Sequence, residues 1–135
     1  MPIRIRYSLK IAISSTTAEE KDLANASFEV VTDDFGEGGV RKFTLAASTS
    51  DVAIDIGNVS TARFLAIRTN AKDPTLTPGS ITIKRNGTGN EAIEILPIGT
   101  TKEGHLLMST DNLTSLFATN PSTVDMEVTV FTSGD

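Results

Sequence analysis

The sequence has no cysteine, no tryptophan and a single histidine, His105, among its 135 residues. Without cysteine, disulfide frameworks, thiolate metal sites and cysteine nucleophiles are excluded. One histidine is too few for a metal site built from several imidazoles. No Gly-x-Ser-x-Gly sequence occurs, so a serine hydrolase would have to be assembled around His105 alone. Because Leu106, Leu107 and Met108 come directly after it, His105 is interpreted as a residue of an ordinary strand.

Aromatic residues are also scarce, at six phenylalanines and one tyrosine. Paired carboxylates are the one catalytic arrangement that the composition permits, because glycosidases work with two acids at a suitable separation. Asp33 with Asp34, and Asp51 with Asp55, are the candidate pairs. Few aromatic faces are available to stack on a sugar ring. We therefore expect these acids to be solvated, and we predict that the chain is not an enzyme.

The segment from Asp33 to Gly39 is rich in acids and glycines, and it is predicted to be a loop. Several oxygens on a flexible loop suit calcium, but the spacing does not match an EF-hand. The glycines match neither a Walker sequence nor a dinucleotide fingerprint, and no helix pattern comes after them. We predict that the chain binds no metal and no cofactor.

Acidic residues outnumber basic ones, 17 to 12, which gives a formal net charge of -5 and a pI of about 4.8. This balance repels a phosphate backbone, so we expect no nucleic-acid partner. Arg4, Arg6 and Lys10 make the first predicted strand basic, which fits either a solvated strand or docking on an acidic protein surface. No apolar run approaches the roughly 20 residues of a membrane span, and the chain starts with a strand pattern instead of a signal sequence. We expect no membrane partner and synthesis in a cytoplasm.

What the sequence does have is apolar and polar residues in alternation, the period of half-buried strands. The longest example predicts a strand over residues 2–14, with apolar residues at Ile3, Ile5, Tyr7, Leu9, Ile11 and Ile13. An irregular connection is expected over 14–26. Further strand patterns occur at residues 28–32, 40–47, 52–56, 62–69, 81–85, 92–95, 105–108, 113–118 and 124–131.

Two of these segments have more specific signals. The nearly continuous apolar run from Phe64 to Ile67 predicts a central strand that is covered on both faces. Asn86-Gly87 predicts a hairpin over residues 80–96. Eight to ten short strands with no helix of normal length predict an all-β fold. We expect an antiparallel β-sandwich, jelly-roll-like, that forms a single domain over residues 1–135.

One stretch of sequence resembles small structural proteins of tailed bacteriophages. In the run from Asp55 to Thr69, a turn of the form Gly, polar, Val, Ser/Thr, Thr, Ala leads into an apolar strand, as it does in those proteins. Three later segments are similar in pattern too, namely Ser80–Gly87, Leu113–Pro121 and Val124–Phe131. The resemblance covers roughly the C-terminal two thirds of the chain.

The resemblance implies a non-enzymatic virion structural protein, either a decoration or cement protein of the head or a head-tail accessory subunit. It would be made in the host cytoplasm and located in the virion. Its partners would be the phage major capsid or tail protein and further copies of itself, and a homotrimer is the favoured oligomer. A carbohydrate- or receptor-binding sandwich of a phage tail, which would use the loops at one end, is the alternative.

Sheet edges and extended terminal strands can join the subunits of a repetitive particle. Residues 1–14 are therefore a candidate interface arm, although an ordinary first strand of the sheet explains the same pattern. The residues assigned to this interface are Ile3, Arg4, Ile5, Arg6, Tyr7 and Phe35.

Overall fold

The computed structural model describes residues 3–14, 22–35, 37–57, 59–98 and 102–134. The chain divides into two compact units, Met1–Phe35 and Gly36–Asp135. Each unit has its own sheet structure. The prediction that residues 1–135 form one domain stays a prediction.

The first unit is an antiparallel strand pair. Strand β1 (Ile3–Ser14) pairs with β2 (Asp22–Phe35). The strand predicted at the start of the chain is confirmed. The irregular connection predicted over 14–26 is wrong for Ser14 and for residues 22–26, because they belong to the paired strands β1 and β2. Residues 15–21 of the predicted connection lie outside the described residues.

The loop predicted from Asp33 to Gly39 is also wrong. Asp33, Asp34 and Phe35 end β2, and residues 37–39 begin β3 (Glu37–Leu45). The backbone of the last strand pairs with residues 37–39, and this ladder outweighs the weak intrinsic strand preference of glycine. The residues on either side of Gly36 therefore belong to strands, and Gly36 itself lies outside the described residues.

The described residues of the second unit form eight strands. They are β3 (Glu37–Leu45), β4 (Thr49–Ile54), β5 (Ala62–Ala71), β6 (Ile81–Arg85), β7 (Ala92–Ile95), β8 (Gly104–Leu113), β9 (Leu116–Asn120) and β10 (Met126–Gly134). They form two four-stranded antiparallel sheets, and the described residues contain no helix. The predicted all-β sandwich is confirmed.

The order of the strands is that of a jelly roll. The first sheet runs β3-β10-β5-β8 and the second runs β4-β9-β6-β7. The pairs β3·β10, β4·β9, β5·β8 and β6·β7 nest inside one another, as in a long hairpin that has been rolled up. This nesting places strands from the two ends of the unit next to each other.

Apolar residues from the inner faces of both sheets form one core. Along β10, Met126, Val128 and Val130 are buried, and along β6, Ile81 and Ile83 are buried. Each pair of buried residues is separated by one residue, because alternate side chains of a strand point to opposite faces. Burial of one such side chain contributes about 1.5–3 kcal/mol.

Strand β5 is a central strand, as predicted, and lies between β10 and β8. Leu65 and Ile67 belong to the core between the sheets. Phe64 is buried as well, with 4% of its surface exposed, and it faces the opposite way from Leu65. Both faces of this strand are therefore covered near Phe64.

The hairpin predicted over residues 80–96 is confirmed, with Ile83 of β6 opposite Ile93 of β7. Its turn begins with Asn86 at φ 58° and Gly87 at φ 145°. Positive φ is rare for residues with a side chain, and asparagine and glycine are the residues that adopt it most readily. The Asn86-Gly87 sequence therefore supplies the backbone conformation that this turn needs.

A buried asparagine joins β3 to the far end of the chain. Asn120 is fully buried, and its Nδ2 donates to the carbonyl oxygens of Leu45 (3.1 Å), Ala46 (3.2 Å) and Val124 (2.9 Å). Its Oδ1 accepts from the N–H and the hydroxyl of Ser122. All the polar atoms of the amide therefore have partners, as a buried amide requires.

Candidate functional site

The residues predicted to form the interface lie in the first unit. Ile3 is the register partner of Phe35, so β1 and β2 bring these two positions together. Arg4 is opposite Asp34, and the pairing is irregular between Arg4 and Arg6. The backbone thus groups the assigned residues at one end of the strand pair. Their role in binding a partner stays a prediction.

His105 lies on the surface of β8. Its Nε2 is 3.5 Å from Oε2 of Glu103, and the side chains of both residues are accessible to solvent. Arg68 of β5 is the register partner of His105. Among the residues that the structure describes, no group of three or more His, Cys, Asp or Glu residues is arranged to hold a metal ion.

The candidate carboxylates of the second unit each contact a basic side chain. Oδ1 of Asp51 is 3.0 Å from Nζ of Lys84, and Oδ2 of Asp55 accepts from Nε of Arg41 at 3.2 Å. Oδ1 of Asp55 also accepts from the N–H of Gly57 at 2.7 Å, in a turn where Gly57 has φ 81°. These contacts hold strands and a turn in place. The prediction that the chain is not an enzyme stays a prediction.

The outer face of the first sheet has a row of apolar side chains. Phe131 of β10 is directly opposite Val40 of β3 and Ala66 of β5, and Ala66 is directly opposite Leu107 of β8. Residues that are opposite each other in a ladder point to the same side of the sheet. We call these four residues, which cross all four strands, the apolar row.

The two ends of the apolar row are exposed. Val40 has 66% of its surface accessible and Leu107 has 49%, whereas Ala66 and Phe131 are half-buried. The ring of Phe131 meets that of Phe64 edge-on, with centroids 5.9 Å apart and an interplanar angle of 64°. This aromatic pair fixes the middle of the row, because edge-to-face contact adds about 0.5–1.5 kcal/mol beyond burial.

A polar row lies next to the apolar row on the same face. It runs from Lys42 through Thr129 and Arg68 to His105. Nζ of Lys42 is 3.1 Å from Oε1 of Glu127, one row further along the face. The outer face therefore has an apolar band that is bordered on one side by basic side chains, and protein interfaces likewise combine an apolar centre with a polar rim.

Sequence reasoning missed the apolar row, because it depends on the register of four strands that are far apart in the chain. A signal was nevertheless present. Phe131 is out of phase with the buried series Met126, Val128 and Val130, and Leu107 is out of phase with its core-facing neighbours on β8. A large apolar residue at a solvent-facing position of an alternating strand marks a candidate contact surface.

A polar depression lies at the end of the sandwich near the β6–β7 turn. It has a volume of about 390 Å³ and is lined by Arg85, Asn86, Asn90, Glu91, Thr110 and Asn112. The side chain of Asn86 already hydrogen-bonds to the backbone there, since its Oδ1 accepts from the N–H of Thr114 at 2.8 Å. Arg85 and Glu91 are exposed and able to contact a polar ligand.

The part of the chain that the structure describes contains no helix with the length and hydrophobicity of a membrane span. Comparison with protein-family models, with curated proteins and with solved structures found no match to this chain.

Proposed function

We propose that this chain is a non-enzymatic virion structural protein of a tailed bacteriophage, a decoration, cement or head-tail accessory subunit. In this role it self-associates and binds the capsid or tail lattice. The observation that carries the proposal is the apolar row on the outer face of the jelly roll.

The apolar row suits a protein partner. Val40 and Leu107 expose large apolar surfaces, and burial of such surface releases about 25 cal/mol per Å². Lys42 and Arg68 border the row and can pair with carboxylates at the rim of a contact. A sheet face with an apolar band and basic side chains beside it is suited to another folded surface, because protein interfaces combine an apolar centre with a polar rim.

The virion assignment adds two further arguments. Jelly rolls are used in viral capsid domains, where sheet faces and edges join subunits. The segment from Asp55 to Thr69, which resembles tailed-phage structural proteins, forms most of β5 and contributes Ala66 to the apolar row. The resemblance and the surface thus meet in the same strand.

The proposal is tested with tailed-phage particles purified from the strain that encodes the chain. Antibody labelling in electron microscopy and co-sedimentation should find the protein on the heads or the tails. Full-length Val40→Asp should bind protein-stripped particles at least about tenfold more weakly, because it places a charge in the apolar row. Leu76→Asp, at a leucine with 47% exposure outside the row, is the matched control and should bind normally. Purified particles that lack the protein would overturn the proposal.

A glycan-binding module is the second candidate, favoured by the polar depression beside Arg85 and Glu91. Jelly rolls also serve as lectin domains. The six lining residues include no aromatic side chain on which a sugar ring could stack. A glycan array probed with the full-length protein decides between the two functions: specific binding that is lost in Glu91→Ala would favour the module, and a silent array would count against it.

A further inference from the structure

The sandwich has four edge strands, β3 and β8 in the first sheet and β4 and β7 in the second. An edge strand presents backbone N–H and C=O groups that have no partner within the sheet. Proteins block such edges with charged side chains, irregular pairing or short strands, because an unblocked edge pairs with another chain. The four edges can therefore be compared for what blocks them.

Strand β3 is blocked by charges on both faces. Arg41 is at an inward-facing position, and its guanidinium lies against Gly57 and pairs with Asp55. Lys42 points outward, with 60% of its side chain exposed, and pairs with Glu127. A strand that approached β3 would have to displace or desolvate these groups.

Strands β4 and β7 are blocked in other ways. The pairing of β4 is irregular between Thr49 and Val52, and Asp51 within it has φ 49°, which breaks the extended backbone. Strand β7 has only four residues, and it contains the exposed Glu94. Neither edge offers a regular strand long enough to pair well.

Strand β8 has no comparable block from His105 to Ser109, although just before the strand the N–H of Ile98 donates to the carbonyl of Glu103 at 3.0 Å. From Gly104 to Ser109 its pairing with β5 is regular, and the strand contains no lysine, arginine or proline. Among the described strands, β8 pairs with β5 alone. The irregular part of its register begins after Ser109.

The core is also incompletely closed beside β8. Leu106 and Met108 face the core but are only half-buried, whereas Met126 and Val128 on the central strand are fully buried. Leu96 and Ile98, which precede β8, are 56% and 66% exposed. An added strand would therefore cover apolar surface as well as backbone groups.

We infer that β8 is a self-association edge, which pairs antiparallel with β8 of a second copy about a two-fold axis at Leu107. This register sets Leu107 opposite Leu107, Leu106 opposite Met108 and His105 opposite Ser109. All of these pairs lie in the regular part of the strand, and none brings like charges together. The pairing ends before Glu103, which is bridged to Ile98 of its own chain. The apolar row of one copy then continues into that of the other, across a joined sheet of eight strands.

A second copy fits this edge better through β8 than through β3. Continuation of the rows onto β3 of another copy would set Lys42 beside His105 and would require Arg41 and Lys42 to lose solvent. Pairing of β8 with itself closes after two copies, since the same edge is used on both sides. The inference rests on the proposed function, and it names a dimer where the sequence led us to expect a trimer.

The first test is the native mass of the full-length protein by light scattering after gel filtration, at micromolar and at submicromolar concentration. The wild type should be a dimer that dissociates on dilution. Leu107→Lys should raise the dissociation constant at least about tenfold, because two lysines would be directly opposite each other. Leu76→Lys is the matched control, at a leucine of almost the same exposure in the connection between β5 and β6, and should leave the dimer unchanged.

The second test uses the absence of cysteine from the chain. Leu107→Cys places one thiol on the two-fold axis, where the opposing Cα atoms would be about 4.5–5.5 Å apart, within reach of a disulfide. Ser109→Cys, on the same face, would put the thiols four residues apart along the strands, or about 13 Å, too far for a disulfide. Oxidation should therefore yield covalent dimers from Leu107→Cys and not from Ser109→Cys.

A wild-type trimer, or a dimer that is insensitive to Leu107→Lys and gives no cross-link through Leu107→Cys, would overturn the β8 inference. Neither result would affect the proposed function if the protein still binds phage particles. Loss of particle binding with an intact, cross-linkable dimer would instead overturn the proposed function and leave the β8 contact standing.

Discussion

The two edges of the first sheet, β3 and β8, differ in how they are protected. Both are long, and both contribute an exposed apolar residue to the same row, Val40 from β3 and Leu107 from β8. Strand β3 has charged side chains on both faces, and Asn120 holds its end. From Gly104 to Ser109, strand β8 has neither charged side chains on both faces nor a buried side chain such as Asn120 that holds its end. The comparison teaches that charged side chains and side-chain hydrogen bonds to the strand end, more than strand length, distinguish a protected edge from one that is available for pairing.

The largest expected difference concerns the core beside each edge. Met126 is paired with Leu45 of β3 and is fully buried, so Met126→Ala should lower the free energy of unfolding by about 2–5 kcal/mol. Met108→Ala on the half-buried inner face of β8 should cost roughly half as much, because less surface is lost from the core. Urea unfolding at submicromolar concentration measures both. Equal losses would show that the core is as well closed at β8 as at β3.

The next effect tests the hydrogen bonds by which Asn120 holds the end of β3. Asn120→Ala removes the side-chain donor of the Leu45 and Ala46 carbonyls, while the Val124 carbonyl keeps the hydroxyl of Ser122, and it should cost about 2–3 kcal/mol. Asn86 makes similar contacts near the end of β8, with the backbone of Asn112 and Thr114, but it is exposed. Asn86→Ala should therefore cost only about 1 kcal/mol, since water can replace the lost hydrogen bonds. An equal loss in the free energy of unfolding for Asn86→Ala and Asn120→Ala would mean that the ends of β3 and β8 are held equally firmly.

A smaller change in stability, with a larger change in association, is expected when the charges on β3 are removed. The double variant Arg41→Thr with Lys42→Thr removes two solvent-accessible ion pairs, each worth about 0–1 kcal/mol. It should leave the fold intact and open the β3 edge. Light scattering should then detect species larger than those of the wild type. An unchanged mass would mean that these charges do not protect the edge.

The smallest effect is expected at Asp73, which belongs to neither edge. The hydroxyl and the N–H of Thr75 donate to its carboxylate at 2.7 and 2.9 Å, and these bonds hold the pKa of Asp73 below its usual value of 3.8. A lowered pKa stabilises the fold above the usual value, and this contribution is lost as the pH falls through the folded-state pKa. Asp73→Asn should therefore reduce the melting temperature slightly at pH 7 and not at all at pH 2. A difference that grew toward acidic pH would contradict this assignment.

Alternation predicted the strands well wherever one face meets the core. On β10 the buried residues Met126, Val128 and Val130 appear in the sequence as a two-residue period, and the Asn86-Gly87 turn appears as its own signal. Both are local properties, because the facing direction of a side chain and the φ of a turn depend on a few neighbouring residues. The sandwich class could be predicted from the number and spacing of such segments.

The candidate surface could not be predicted in the same way, because it depends on pairing between distant strands. Val40, Ala66, Leu107 and Phe131 lie side by side only through three separate ladder registers. The segment near Gly38 shows the same limit: its glycines favour a loop locally, yet β10 pairs with them as a strand. In the apolar row and near Gly38 alike, pairing with a strand far away in the sequence determines the structure.

The position of β10 has a consequence for how the protein is made. It is the last of the described strands in chain order, yet it lies between β3 and β5 in the finished sheet. While the ribosome still holds residues 126–134, β3 has no neighbour and the first sheet cannot close. The fold therefore has a high contact order, and such β topologies form in milliseconds to seconds, more slowly than helical bundles. We expect the pairing of β5 with β8 to form first, and β3 to join the sheet only when β10 inserts between β3 and β5.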